Sequence, residues 1–524
     1  MVHMETSTES ETPSLSQPET PATGRFGPAM FGAVSVALSF GISELLAGAI
    51  GAPSLIQGVA DWVVDSAPPG LKDWAIATFG TNDKPALLIA IVTVGLLLGG
   101  VVGLLSRRRL EPAIVAFGAF GVLAATATAS NPAAGTTGPW LIAIVSVVAG
   151  LVAFRWLVNP GQSVRARPLG EQDQGRRSFL LATSIGGFAL LAAGVGRVLF
   201  SSNRAAASQQ SEVTVNPGTS DIPVAAAFDN IEGLTPVVVP NADFYRIDTA
   251  IVVPRVDLDS WSLSFSGMVD NPYSINFDEL MELPMVERYV TLSCVSNEVG
   301  GDLVGNARWL GVPLKDLLDR AGIQAGADQL VARSVDDFTV GFPTAAAFDG
   351  REALLAVGMN GEALPLEHGF PARLVVSGLY GYVSATKWIS EIELTTWGGF
   401  DAYWIPRGWS KEAPIKTQSR IDTPGRRIEP GEHYIAGVAW APNVGITRVE
   451  VEVDTGGGWQ QAELTDPLSG DAWVQWRLLY DFGPGSHRIR ARATDATGFT
   501  QSENQVPPAP NGAEGWHTVS VTVG

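Results

Sequence analysis

The only cysteine of the 524-residue chain, Cys294, follows Val290-Thr291-Leu292-Ser293 and opens a loop, Val295-Ser296-Asn297, rich in Gly and Asn. A thiolate is a soft ligand and a good nucleophile, so the position suits a metal or covalent attack. A lone cysteine is equally well a small buried apolar residue. Nucleophilic use needs a histidine partner and a group to orient it, and His368 is available for that part. The second segment is His368-Gly369-Phe370-Pro371-Ala372-Arg373, followed by Gly378, Gly381, Lys387 and Trp388. Arginine offers a bidentate fork, lysine a point charge and histidine a donor. Glycine lets backbone N–H groups approach an anion. The spacing suits a phosphate-bearing cofactor, and it also suits a salt-bridged turn.

The elements that must position these residues fall into two patterns. From about 244 to 412 short β-type runs, such as Trp261–Phe265 and Ala372–Val376, alternate with a few helical ones, such as Pro313–Ile323. This predicts an α+β domain. From about 413 apolar and polar residues alternate, as in Arg448–Val453, and later at Trp473–Leu478, Ser486–Ala493 and Trp516–Val523. Short strands with Gly-rich turns predict a β-sandwich, and Gly456–Gly458 reads as a hairpin turn. The chain has no Gly-Lys-Ser/Thr phosphate loop and no repeat array.

The first two hundred residues differ. Five apolar runs lie near 28–50, 86–105, 112–129, 139–158 and 179–199, each close to the roughly 20 residues that a span requires. Glu44, inside the first run, is expected to face the bundle or reach toward one end. Arg107, Arg108 and Arg109 follow the second run; Arg155, Arg165, Arg167, Arg176 and Arg177 separate the fourth from the fifth. Positive charge marks cytoplasmic loops. The loop 51–85, with Asp61, Asp65, Asp73 and Asp83 against Lys72 and Lys84, is then outside, and so is everything after about 200. Gly175-Arg176-Arg177-Ser178-Phe179-Leu180 resembles a twin-arginine export signal at an internal position, and it reads equally well as an ordinary positive-inside anchor. Residues 1–27 read as a disordered cytoplasmic tail.

Charge divides with hydropathy. Residues 1–200 hold twelve Lys/Arg and twelve Asp/Glu, and the remainder carries the whole net −19. An acidic domain is a poor nucleic-acid binder; the acidity suits solubility, or docking of a basic electron carrier. One cysteine excludes an intrachain disulfide and an iron–sulfur site built from this chain. The five histidines, His3, His368, His433, His487 and His517, all lie outside the apolar runs, which excludes a bis-histidine haem within the membrane.

Further motifs join the first two. They are Phe244-Tyr245-Arg246, Thr291-Leu292-Ser293-Cys294, Ala307-Arg308-Trp309-Leu310-Gly311-Val312-Pro313-Leu314, Met359-Asn360-Gly361-Glu362, Thr386-Lys387-Trp388 and Ile415-Lys416-Thr417-Gln418-Ser419-Arg420. In order and spacing, residues 240–524 resemble the sulfite oxidase family of molybdopterin enzymes; together with the apolar half, the chain resembles a membrane-anchored actinobacterial type. The resemblance implies that Cys294 ligates molybdenum beside the pterin dithiolene. It implies that His368, Arg373, Thr386 and Lys387 hold the pterin and its phosphate, that Phe244, Tyr245 and Arg246 line the cofactor, and that Asp336 contacts the pterin. It further implies that the C-terminal sandwich is an immunoglobulin-like dimerisation domain, giving a homodimer.

The sequence also departs from the family. Where basic residues usually follow the cysteine loop, this chain has Glu298-Val299. The catalytic tyrosine position, in the segment Tyr403-Trp404-Ile405-Pro406-Arg407-Gly408-Trp409, matches Trp409. Arg407 and Arg246 match arginines of the anion pocket. The expected architecture is an all-α bundle of five transmembrane helices (28–199), a linker (200–240), an α+β sulfite-oxidase-type molybdopterin domain (241–412) and an immunoglobulin-like β-sandwich (413–524). The expected function is two-electron oxygen-atom transfer at a cysteine-ligated molybdenum on the extracytoplasmic side, with Cys294, Arg246, Arg407 and Trp409 as catalytic residues. Sulfite is the leading substrate, with a separate cytochrome or a quinone as electron partner. Reduction of a sulfoxide, such as methionine sulfoxide, with membrane-derived electrons is the alternative, and a cofactor-free adhesion protein the remote one.

Overall fold

The computed structural model describes residues 26–524 except 51, 69–70, 72–73, 76–77, 80–82, 108, 131–136, 159–170, 202–208, 212, 216–226, 229, 251–252 and 455; side chains 26, 171–179, 200 and 201 are also outside the description. The expected N-terminal tail, Arg165, Arg167 and the side chains of the twin-arginine pair therefore lie outside the described residues.

Among the described residues, five helices are long and apolar enough to cross a membrane: Gly27–Ile50, Asp83–Leu105, Glu111–Ala129, Gly138–Val158 and Leu180–Leu199. The first is central, packed against the second, fourth and fifth. Small residues permit this. A Cβ on Gly32 would fall 2.0 Å from the Gly99 carbonyl oxygen, and one on Gly48 2.1 Å from that of Gly196, the close backbone approach that favours helix association in lipid. Ile89, Leu97, Val115, Leu141 and Leu190 point outward, where an aqueous surface would carry polar side chains.

Between the first two spans lies a helix that the sequence reading did not expect, Leu55–Ser66. Ser54 caps it, with Gln57 returning the hydrogen bond to the Ser54 N–H. Its first turns are buried among Ala47, Ala124 and Ile142. Ser54 Oγ also donates to Glu44 Oε1 at 2.5 Å, so the acid of the first span faces the bundle.

The following part holds two sheets. One has the strand order Tyr273–Asn276, Ser262–Gly267, Ile389–Thr395, Gln329–Ser334, Thr339–Pro343, in which Ser262–Gly267 and Ile389–Thr395 pair parallel and the other neighbours antiparallel. The other pairs Val286–Ser293, Val304–Pro313 and Ala353–Met359 antiparallel, with Arg373–Val376 also on Ala353–Met359. Leu314–Ala321 is the helix expected near 313–323, ended by Gly322 at φ 70°. The C-terminal part forms two further sheets around one core. Ile435, Val474 and Trp476 come from one, and Val449, Ile489 and Val521 from the other. Gly456–Gly458 turns the chain from Ile446–Val453 into Gln460–Gln461.

The two parts share a core. Val438 and Trp440 of the C-terminal sheets, and Trp473 just before the strand Val474–Phe482, join the cluster containing Trp309 and Leu355. Thr291, three residues before Cys294, is tied directly across the junction: its N–H donates to the Asp471 carbonyl at 2.9 Å, and its Oγ1 accepts from the Trp473 N–H at 2.8 Å.

Candidate active site

Cys294 stands at the end of the strand Val286–Ser293 and is 8% exposed. Its N–H donates to the Leu303 carbonyl at 2.9 Å, closing the loop that follows. Asn297 Oδ1 accepts from the Leu303 N–H at 2.9 Å inside that loop. The C-terminal sheets brace the outer side. Arg420 Nη1 donates to the Gly301 carbonyl at 3.0 Å while its Nε holds Asp422 at 2.6 Å. Burial pushes the Cys294 thiol upward, so without a metal it stays protonated; a metal ligand must lose that proton.

Tyr245 and Tyr380 flank the thiol, each raised first by burial and each also sensing Cys294; Tyr380 is pushed up to about 12. Tyr245 is presented by the segment Pro240–Arg246, which asparagines fix. Asn360, at φ 55°, donates to the Val239 carbonyl and to Asn241 Oδ1, both at 2.8 Å. Asn306 Nδ2 donates to the Val237 carbonyl at 2.9 Å. Phe244 stacks on Tyr245 with centroids 5.2 Å apart and meets Trp309 and His368 edge-on at 5.7 and 5.6 Å.

His368, Gly369 and Arg373 form the next wall. Gly369 has φ 114°, and a Cβ there would lie 3.1 Å from the Cβ atoms of both Arg373 and Lys387; only glycine lets both residues pack this closely against it. His368 Nε2 lies 3.0 Å from the Asn241 carbonyl, which assigns the proton to Nε2. Burial and then Arg373 pull its pKa down to about 4, so the ring is neutral at pH 7.

Arg373 is 5% exposed and, among the described residues, has no carboxylate partner. It donates to the His368 carbonyl at 3.1 Å and lies 5.1 Å over the Trp309 ring. Burial lowers it to about 10, far above neutrality, so it remains charged. A buried, uncompensated guanidinium is costly. Beside it the Thr386 hydroxyl is fully buried with no hydrogen-bond partner among the described residues. Both groups fit a bound anion.

Asp248, which the sequence reading passed over, organises the cations. Its Oδ2 accepts from Lys387 Nζ at 2.8 Å and Arg246 Nε at 2.9 Å, and its Oδ1 from Lys84 Nζ at 2.9 Å. Burial works to raise its pKa, but Lys387, Lys84 and Arg246 outweigh that and hold it well below the usual carboxylate range. Burial brings Lys387 down to about 8 against the pull of Asp248. Lys84 begins the second span and also donates to the carbonyls of Asp248 and Ala250, at 2.9 and 2.6 Å. A residue of the bundle thus reaches the cation cluster.

Asp336 lies in the turn between Gln329–Ser334 and Thr339–Pro343, half-buried; burial raises its pKa, and Asp248 is close enough to add to that. Tyr403 in turn senses Asp336. Arg407 lies 3.6 Å over the Tyr403 ring and donates to the Tyr403 carbonyl at 2.5 Å. Tyr403 Oη donates to Asp65 at the end of Leu55–Ser66, at 2.8 Å. Trp409 packs between Trp404, at 6.5 Å, and Tyr382, at 5.8 Å. The expected residues therefore form two groups. Cys294, Phe244, Tyr245, His368 and Arg373 come together, with Thr386 and Lys387 beside them. Arg407 and Trp409 belong to an aromatic group joined to the first through Tyr382 and Tyr380. Arg246 is engaged by Asp248.

The oxidoreductase molybdopterin-binding domain model matches residues 250–404. Human mitochondrial sulfite oxidase is 29% identical over 340 residues, covering 55% of this chain and 62% of that protein. The sulfite oxidase of Arabidopsis thaliana is 30% identical over 313 residues, covering 48% of this chain and 79% of the relative. The chain thus spans a little under two thirds of the human relative. The sulfane dehydrogenase SoxCD of Paracoccus pantotrophus has a similar fold, with a TM-score of 0.50 at 24% identity over 60% of this chain and 90% of that one. The chain belongs to the sulfite oxidase family of molybdopterin-dependent oxidoreductases. Its cofactor is a molybdenum-molybdopterin, and the cations and buried hydroxyl described above are of the kind such a phosphate-bearing group requires.

Proposed function

We propose that the chain is a membrane-anchored oxidoreductase whose 241–412 domain holds the molybdenum cofactor through Cys294 on the extracytoplasmic side. The carrying observation is the buried Arg373, charged and, among the described residues, without a carboxylate, next to Tyr245, which also senses the buried thiol. Cys294 Sγ would ligate the metal, Arg373, Thr386 and Lys387 would hold the pterin phosphate, and His368, Phe244 and Tyr245 would line the pterin, with Arg246 and Asp336 at its edge. When bound, the cofactor supplies two-electron oxygen-atom exchange with the substrate. The protein's own work is to exclude water, fix the ligand and orient the substrate. Trp409 and Arg407 would face the substrate, and the net −19 of the exported half suits docking of a basic electron carrier. The 413–524 domain, read as immunoglobulin-like, would serve dimerisation.

Sulfite is the leading substrate. Sulfoxide reduction is the second reading, favoured by one observation: Arg246 is committed to Asp248 and Arg407 to Tyr403, an arrangement better suited to a neutral substrate than to a dianion.

The full-length protein from a molybdenum-replete host is expected to contain one molybdenum per chain by elemental analysis. Cys294→Ser is expected to keep the fold and the pterin but lose turnover by at least about a thousandfold, since an alkoxide is a harder and poorer electron donor. Full activity in that variant would remove the ligand assignment. Sulfite with an artificial acceptor, and a sulfoxide with reduced viologen, separate the two substrates.

A further inference from the structure

The bundle encloses a cavity of about 230 Å³. Its walls are apolar and aromatic: Phe40 of the first span, Phe117 and Phe120 of the third, and Val59 of the short helix Leu55–Ser66. Phe120 and Leu98 are exposed, the latter 52%, so the cavity opens toward lipid between the second and third spans. Two serines interrupt the lining: Ser39, whose hydroxyl donates to the Ser35 and Ser146 carbonyls, and Ser146 itself. Ser146 lies near the middle of Gly138–Val158, is 1% exposed, and its hydroxyl has no hydrogen-bond partner among the described residues. Other hydroxyls in the spans turn back on their own helices: Ser35 to the Phe31 carbonyl, Thr128 to that of Ala124 and Ser184 to that of Leu180, at 2.8 to 2.9 Å. Ser146 does not, and an unpaired donor in hydrocarbon is costly.

We propose that this cavity binds the ring of a lipid-soluble quinone, with a quinone carbonyl accepting from Ser146 Oγ. A phospholipid acyl chain would fill apolar space but has no acceptor to offer at mid-helix. A quinone brings a flat ring for the phenylalanine walls, a carbonyl for the serine and a tail that leaves through the mouth at Leu98. The inference rests on the reading of the chain as a membrane-anchored redox enzyme, whose two-electron turnover needs a donor or acceptor. A quinone taking two electrons and two protons becomes the quinol, and the reverse releases them. The short helix gives the cavity a physical connection to the catalytic domain. Leu55 and Val59 line the cavity, and Asp65 of the same helix holds Tyr403 beneath Arg407.

The test uses the full chain in detergent and menadione as the probe, with binding read from quenching of tryptophan fluorescence. Saturable binding of one menadione per chain is expected. Ser146→Ala should weaken it about 3- to 10-fold, the effect of one neutral hydrogen bond. Ala116→Trp, which fills the cavity, should abolish it, with melting temperature and molybdenum content measured on the same samples to establish that the variants fold. Absence of saturable quenching overturns the proposal, as does equal affinity in both variants, or recovery of a stoichiometric phospholipid that menadione does not displace. A protein that carries molybdenum and binds no menadione overturns the cavity assignment alone, whereas one that binds menadione without molybdenum overturns the redox reading and leaves the cavity standing.

Discussion

Arg373 carries a sharp prediction because its two roles have opposite signs. In the cofactor-free protein it is a buried charge answered only by carbonyls and an aromatic face. Replacing such a group with an apolar one of similar length removes a desolvation penalty of several kcal/mol per buried ion. Arg373→Met is therefore expected to raise the melting temperature of the cofactor-free protein while lowering its molybdenum content, the first read by calorimetry and the second by elemental analysis. His368 gives a pH signature. Its pKa falls from 6.5 to about 4 on folding, through burial and then Arg373. As pH drops from about 6.5 to about 4, the unfolded chain takes up a proton that the folded one refuses, so stability declines through that window. The loss approaches about 3 kcal/mol, and His368→Gln should flatten it in denaturant titrations at stepped pH. At this scale the sequence was legible where types are rare. A single cysteine and a His–Gly–Phe–Pro–Ala–Arg run stand out. Asp248 did not, being one of 53 acids, although it lies two residues after Arg246. Tyr380 and Tyr382 were missed because their approach to Cys294 and Trp409 depends on the single helical turn Gly381–Ser384, too short for any periodicity to announce.

Among the elements, strand periodicity was the reliable guide. Arg448–Val453 alternates because Val449, Val451 and Val453 join the core that holds Ile489, while Arg448, Glu450 and Glu452 form a charged face paired with Arg490 and Arg492, and the strand Ile446–Val453 follows. Leu55–Ser66 was passed over because its apolar run is too short to span and its acids suggested only an exterior loop. The pair Ser54 and Gln57, spaced three apart before apolar residues, was the available signal. Periodicity also gave no hint that the two β-rich parts share a core, since that contact joins Thr291 to residues some 180 positions away. Thr291→Val retains volume and removes the hydroxyl that accepts from Trp473 and donates to Asn306 Oδ1 at 3.1 Å. The groups left unpaired should cost about 1–3 kcal/mol, measurable as a lowered melting temperature.

At the level of the whole molecule, the five spans were legible from composition because a membrane requires long apolar runs. The association of bundle and catalytic domain was not, because it depends on two polar contacts far apart in sequence, Lys84 with Asp248 and Asp65 with Tyr403. These place the segment after the first span and the domain after the fifth on one side. The buried Cys294 leaves a low background for thiol labelling. In intact cells Asp259→Cys is expected to react with a membrane-impermeant maleimide, and Arg109→Cys only after permeabilisation; the opposite pattern would place the catalytic domain in the cytoplasm. Asp248 gives the association a further meaning. One of its oxygens serves Lys84 of the bundle, and the other serves Lys387 of the cradle. Two equilibria that share a carboxylate are thermodynamically linked, and linkage is reciprocal. An anion that draws Lys387 away frees charge on Asp248 for Lys84, and a bundle seated on Asp248 alters what Lys387 can offer the anion by the same free energy. If Lys387 holds an anion as proposed, the bundle would be an effector of the site and the occupant of the site an effector of the bundle.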